Sequence, residues 1–303
     1  MIPGILNEGF IYAIMVLGVF ITFRVLNFCD MTVDGSFPMG ACIFAACILA
    51  GIPSWVALFI VFIFGGVAGF FTNLIFTKLR IPDILSGILM MTMLYSVNLR
   101  IMSNQANVSL LRKATIFTAL LDKFPALGAW SIVIFMALFI AVLTFLLDVF
   151  FSTDFGKTMG ALGSNVQMVI SQGVDPKQLR TVGICFGNGL AALSGAMFAM
   201  YQGFSNVNCG SGVVVSGLAS LMLGEFLIRS PKIELQTLRV ILGSVLYRAL
   251  MYFARRYGSE IGLGPNDLKL ITGLLIIICL IISNTNIIGY FKEHLKRPGE
   301  CNA

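Results

Sequence analysis

The sequence predicts an all-α fold, a polytopic transmembrane helical bundle of about nine spans, with eight or ten also compatible. Three observations predict it. Of 303 residues, 58% are hydrophobic and 11% charged, and the mean hydropathy is +0.94, a composition outside that of soluble domains. Apolar runs of roughly 17–25 residues recur along the chain, each long enough to cross a bilayer. Between the fifth and sixth runs a polar island, residues 152–180, interrupts the pattern. A membrane protein that holds about 29 residues out of lipid at mid-chain usually holds them for a partner.

The runs lie near residues 9–27, 36–51, 54–77, 84–103, 127–150, 181–201, 211–228, 235–254 and 267–285, within one transmembrane domain, 1–303. The second and seventh are short, which sets the range on the count. The first is not read as a cleavable signal segment, because no basic region precedes it and Glu8 stands near its start. Basic residues orient the spans. With the island in the cytoplasm, that side collects Arg24, Lys78, Arg80, Lys157, Lys177, Arg180, Arg229, Lys232, Lys292, Lys296 and Arg297. The other side collects Arg112, Lys113, Lys123, Arg255, Arg256 and Lys269, so the N-terminus is expected outside and the C-terminus inside.

The two short runs open alike, one on Asp34-Gly35-Ser36-Phe37-Pro38-Met39-Gly40-Ala41, the other on Cys209-Gly210-Ser211-Gly212 and the small residues that follow to Gly217. In this topology they run in opposite directions, the signature of an inverted repeat with broken helices beside a central pathway. Irregular backbone cannot face lipid, so Ser36, Gly40, Met93, Asn98, Asn188, Ser211 and Gly217 are the expected pathway positions. The plainer alternative is that Gly-Ser marks any helix start.

Several chemistries are excluded. Seven cysteines, Cys29, Cys42, Cys47, Cys185, Cys209, Cys279 and Cys301, include no CxxC pair, so neither a zinc site nor a disulfide framework is indicated. The net charge of +6 sits in loops between apolar runs, as topology signals do, which argues against nucleic acid. Gly156-Lys157-Thr158 resembles the end of a phosphate loop, but its upstream glycine would be residue 151, which is Phe151. The lone His294 lies in a basic tail without a partner motif, and Asp30 and Asp34 read as a helix-start cap and turn. No catalytic residue and no metal site is expected. Polar side chains inside runs carry more information because each is costly in lipid: Asn98, Arg100, Asn188, Glu225, Arg239 and Arg248. Glu225 with Arg229 or Arg239 reads equally as an ion pair or a transport group, and the asparagines as interhelical glue. Small residues spaced by four at Gly65/Gly69 and Gly183/Gly187, and the small-residue stretch Gly189 through Ser194-Gly195, predict close helix packing.

The island reads as a short helix over Val166–Ile170 with a loop on either side, Phe155-Gly156-Lys157-Thr158-Met159-Gly160-Ala161-Leu162-Gly163-Ser164-Asn165 before it and Gly173-Val174-Asp175-Pro176-Lys177 after it. These stretches, with Asn188 through Ala196, Tyr201-Gln202-Gly203-Phe204, Gly217 through Glu225, Asp267 through Thr272, Leu26-Asn27 and Thr32 through Phe37, resemble the permease subunits of bacterial ABC importers of the branched-chain amino acid and ribose type. The resemblance covers most of the chain and is nearest to the branch of tryptophan/tyrosine and uncharacterised X-type permeases. One departure is Gly160, where that pattern implies an arginine.

The resemblance implies a cytoplasmic coupling helix, carried by Phe155, Gly156, Met159, Ala161, Leu162, Gly163, Asn165 and Gly173, that docks in the cleft of a separate ATPase. ATP and Mg would sit on that partner, with no cofactor in this chain. It further implies an extracytoplasmic solute-binding lipoprotein, a second permease copy in a homodimer, and a bacterial inner membrane around them. The expected cargo is a small solute, aromatic amino acids first. An ion-gradient-driven secondary transporter is the alternative; it needs a carboxylate poised in the membrane, for which Glu225 and the Asp30/Asp34 pair are available. A purely structural scaffold does not explain the delimited polar island.

Overall fold

A computed structural model of the chain describes residues 2–111, 113–125, 128–228 and 233–260, with four further positions at 270, 273, 274 and 277. His294 and the basic residues Arg112, Arg229, Lys232, Lys269, Lys292, Lys296 and Arg297 lie outside these, as does nearly all of the ninth apolar run, 267–285. Eleven helices are described: α1 (Ile2–Val19), α2 (Val33–Leu49), α3 (Ser54–Leu79), α4 (Asp83–Ile101), α5 (Ile116–Lys123), α6 (Ala129–Ser152), α7 (Asp154–Ser164), α8 (Val166–Ser171), α9 (Pro176–Gln202), α10 (Val213–Leu227) and α11 (Ile233–Glu260). A π-helical turn, Phe20–Val25, extends α1, and a 3-10 turn, Val207–Gly210, leads into α10. Among the described residues seven helices are long and apolar enough to cross a membrane, and α2 is a shorter apolar helix beside them. Eight of the nine apolar runs are therefore helices.

The bundle is organised on α9, which packs against α1, α2 and α3. Glycine makes this possible, because backbones approach to distances that a Cβ would obstruct. A Cβ on Gly18 would overlap the Gly187 carbonyl, on Gly40 the Ala192 carbonyl, on Gly195 the Phe37 carbonyl, and on Gly65 would reach the Ala192 side chain at 2.6 Å. The predicted small-residue spacings are thus the contact points of the core. Around it α4 and α6 are peripheral: only 28% of each spanning window is buried, against 72% for α1 and 78% for α9. The outer face of α6 carries Ile134, Leu138, Phe145 and Leu146, as a lipid-facing helix requires.

Three features differ from the sequence reading. A small antiparallel ribbon pairs β1 (Asn107–Ser109) with β2 (Phe204–Asn206); strands of three residues are too short for any periodicity to register. The stretch Phe155–Ser164 is helical, so the island holds two helices. Thr153 accepts from the Gly156 amide to start α7, Asn165 accepts from Met168 to start α8, and Asp175 accepts from Lys177, with Pro176 next, to start α9. Capping thus overrides three glycines. Finally, Gly35 and Ser36 lie inside the first turns of α2, and the irregular backbone is the segment before it, Leu26 to Thr32.

Candidate functional site

Among the places where this bundle departs from regular spanning helix, two hold the candidate site residues. The first is where α2 and α10 begin. Free amides at a helix start need acceptors, and inside a membrane the protein must provide them. Asp34, in the first turn of α2, provides them for α10: its carboxylate accepts from the Gly212 amide at 3.0 Å and the Val214 amide at 2.7 Å. Gly212 takes φ +76°, a left-handed conformation that lets the chain turn from the 3-10 segment into α10. A carboxylate at the positive end of a helix is also favourable electrostatically.

Beside this cap a buried network closes the irregular segment before α2. Asp30 accepts from the Thr32 amide at 2.9 Å and from Asn188 Nδ2 at 2.6 Å, and Ser36 Oγ donates to Asn188 Oδ1 at 2.8 Å. Thr32 and Thr72 hydroxyls lie 2.9 Å apart, and Asn98 Nδ2 donates to the Gly35 carbonyl at 3.3 Å while its Oδ1 is buried without a partner. Of the pathway positions expected from sequence, Ser36, Asn98 and Asn188 are therefore brought together, fully buried, in one polar cluster. Gly40 packs on the Ala192 backbone and Gly217 on the Met15 sulfur, where a Cβ would meet it at 3.1 Å. Met93 and Ser211 face outward and join neither contact. The network's central partner, Asp30, reads from sequence as a turn residue or a carboxylate for ion coupling, but not as a partner of Asn188, because their distance along the chain hides the contact.

The second place is the α7–α8 pair. Met159 and Leu162 share one face of α7, as their spacing of three predicts, but that face turns into the subunit: both are buried, with Met159 against Gly183 of α9. Gly156 and Gly163 let α7 lie on the Phe150–Phe151 and Val25 backbones. Gly156, Met159 and Leu162 thus seat the helix on its own subunit, while Gly163 is half-buried beside the cavity; the two large side chains counted among the coupling residues are turned inward. Ala161 is half-buried, and Phe155, beside Phe150, is 40% exposed. Asn165 is spent on the α8 cap, and Gly173, at φ +78°, ends the pair in open space. The outward apolar side chains are on α8 and after it: Val166, Met168, Ile170 and Val174, with only Val169 turned inward. Sequence reasoning passed over these because a six-residue helix is too short to show a face.

Beside α7 a cavity of about 690 Å³ opens between the π-helical turn and α11, lined among others by Phe23, Arg24, Phe151, Lys157, Gly160 and Gln236. Behind it Glu225 holds two cations, Arg24 Nε at 3.0 Å and an Arg239 guanidinium nitrogen at 3.1 Å. The Glu225–Arg239 pair is one of those expected; Arg24 is an addition that only tertiary structure reveals.

A bundle of membrane-length helices, with α10 started on a carboxylate of α2 and a helix pair set outside the spans, is the architecture of a multi-pass membrane protein. The chain belongs to the branched-chain amino acid transport system permease component family, whose pattern it matches over residues 1–281. It is 38% identical over 286 residues to a "Tyrosine transport system permease protein" of Clostridioides difficile (strain R20291), covering 94% of this chain and 92% of that one. An uncharacterised protein of Rickettsia prowazekii (strain Madrid E) is 32% identical over 276 residues, 91% and 95% of the two chains. More distantly, 28% identity over 204 residues, 64% of this chain and 54% of the other, relates it to an "Autoinducer 2 import system permease protein LsrC" of Salmonella paratyphi B. No solved structure matches the chain.

Proposed function

We propose that this protein is the membrane-spanning subunit of an ATP-driven ABC importer in a bacterial inner membrane, taking up a small amino-acid-like solute, with aromatic amino acids as the leading class. The observation that carries the reading is the α7–α8 pair: one face is seated on the bundle, while Phe155, Val166, Met168, Ile170 and Val174 present an apolar outer face. An ATPase subunit is the occupant that family membership favours, with ATP and Mg held there. In this reading two copies of the chain pair, and a solute-binding lipoprotein delivers cargo from outside. The aromatic preference draws on the relative named for tyrosine transport. The α2–α10 junction is then the pair of broken helices of an inverted repeat, and relative movement of α7 reaches it through α9.

The rival ion-coupled mechanism needs a free carboxylate in the membrane. Asp34 is committed to the α10 amides, Asp30 to Thr32 and Asn188, and Glu225 to two arginines. The test is uptake by the reconstituted complex. It is expected to persist when ion gradients are collapsed at constant ATP and to stop when the partner ATPase cannot hydrolyse. Uptake that follows a sodium or proton gradient without any ATPase overturns the reading.

A further inference from the structure

Inside the span Leu235–Tyr257 lies an arginine that forms no ion pair among the described residues. The helix α11 crosses α1 closely, with the Ser244 hydroxyl donating to the Gly9 carbonyl at 2.9 Å. One turn further on, the Arg248 guanidinium lies over the Tyr12 ring, its carbon 3.2 Å from the centroid. Tyr12 is itself fixed by stacking on Phe37 at 5.6 Å and by an edge contact with Phe198 at 5.5 Å. Among the described residues no carboxylate comes within 4 Å of Arg248; Glu8, one turn before Tyr12 on the facing helix, forms no ion pair with it. Its Nε is buried without a hydrogen-bond partner. The contrast is Arg239 on the same helix, which holds Glu225.

A cation over a ring face engages the flat side of the guanidinium, and here Tyr12 also takes a side-chain hydrogen bond from Arg248, which still leaves the buried Nε–H without an acceptor. A charge retained inside a span without a protein counter-ion marks a functional position, because lipid penalises it heavily. The planar fork matches a two-oxygen acceptor best. We propose that Arg248 is the anchor for a carboxylate group of the transported solute, with Tyr12 as the platform that holds the guanidinium between transport cycles. This rests on the reading of the chain as an amino-acid permease and adds which solute group is recognised, and by which residue.

The test separates the two ideas. Wild-type permease in lipid nanodiscs is probed by saturation-transfer NMR with L-tyrosine, hydroxyphenylpropionate, which lacks the amine, and tyramine, which lacks the carboxylate. The two carboxylates are expected to give signal and tyramine none. In Arg248→Gln the carboxylate preference should disappear and the maximal uptake rate of the reconstituted importer should fall roughly tenfold or more, as loss of a charged hydrogen-bond pair predicts. Arg248→Lys, which retains charge without the fork, should keep a weakened preference and serves where the glutamine variant fails to fold, judged by membrane yield and ATPase co-purification. Equal signals from L-tyrosine and tyramine on wild type, or a preference unchanged in folded Arg248→Gln, overturn the anchor. Carboxylate preference with no ATP-driven tyrosine uptake leaves the anchor standing and overturns the aromatic cargo alone.

Discussion

The α2–α10 junction and the α7–α8 pair both interrupt regular spanning helix, and they dispose of their polar backbone and apolar side chains in opposite ways. At the junction most polar groups are paired within the subunit: Asp34 caps α10, Asp30 and Ser36 share Asn188, and Gly40 lies on the Ala192 backbone, with Asn98 Oδ1 left over. At α7–α8 only the inner half is completed, by Met159, Leu162 and the glycines, while Met168 and Ile170 are about half exposed. Changes at the junction should act through stability, and changes on the bare face of α8 should act on assembly with the proposed ATPase. Substitutions should therefore separate into those that lose the protein and those that lose only its assembly.

The largest effect is expected at Gly40. Any side chain there collides with the Ala192 carbonyl at the α2–α9 contact, and backbone on backbone cannot yield as a flexible side chain can. Gly40→Trp should abolish folded protein in the membrane, read as yield of monodisperse permease. A folded, merely inactive Gly40→Trp would show that α2 can move off α9 and that the site is a passage instead of a seam. Asp34→Ala comes next. It strands the Val214 amide in a partly buried site, at about 1–3 kcal/mol for an unsatisfied buried group, while the exposed Gly212 amide loses less. A detergent melting curve should shift down clearly, and Asp34→Asn, which keeps an acceptor, should recover part of it.

Met168→Asp and Ile170→Asp test the other region. Both side chains are exposed, so the melting temperature should change little, within about 0.5 kcal/mol in stability. ATPase co-purification should nevertheless fall sharply. Met159→Asp, by contrast, buries a charge beside Gly183 and should lose the folded protein before assembly can be asked about. Normal ATPase capture by the Met168 and Ile170 variants would leave the bare face of α8 without a partner.

How much of this is legible in the sequence follows from range. Span positions, the glycine seams and the polar island are local patterns, and eight of nine runs fall on helices because composition over about 20 residues decides membrane insertion. The meeting of the two short helices is also legible in outline from their matching Gly-Ser stretches, although in α2 that stretch is helical and the irregular backbone precedes it. Its chemistry is not: Asp30 and Asn188 are 158 residues apart, and Asp34 and Gly212 are 178 apart, so no window contains either pair. The orientation of Met159 and Leu162 escapes for a different reason. Spacing places them on one face, but an apolar face on a surface helix can serve its own subunit or another, and only packing decides.

The smallest expected effect is the most discriminating for the half-finished region. Gly160 lies inside α7 with nothing within 4 Å of where a Cβ would stand, on the wall of the 690 Å³ cavity. Glycine in a helix costs about 1 kcal/mol relative to alanine, so Gly160→Ala should stabilise the permease by up to about that amount, because the new methyl group enters open space. Gly160→Arg gains nearly the same helix propensity but sends a cation into a space already lined by Arg24 and Lys157, whose like charges oppose it. Arginine should therefore stabilise the isolated subunit less than alanine does, by a difference that shrinks as salt is raised. In the assembled importer the order should reverse if an acidic surface of the ATPase closes over the cavity, because the new cation would then be paired. Melting curves of the two variants, alone and with the ATPase bound, read both signs. Arginine above alanine in the isolated subunit would mean that the cavity has an anionic lining of its own, and the comparison between a finished junction and an unfinished docking face would have to be drawn elsewhere.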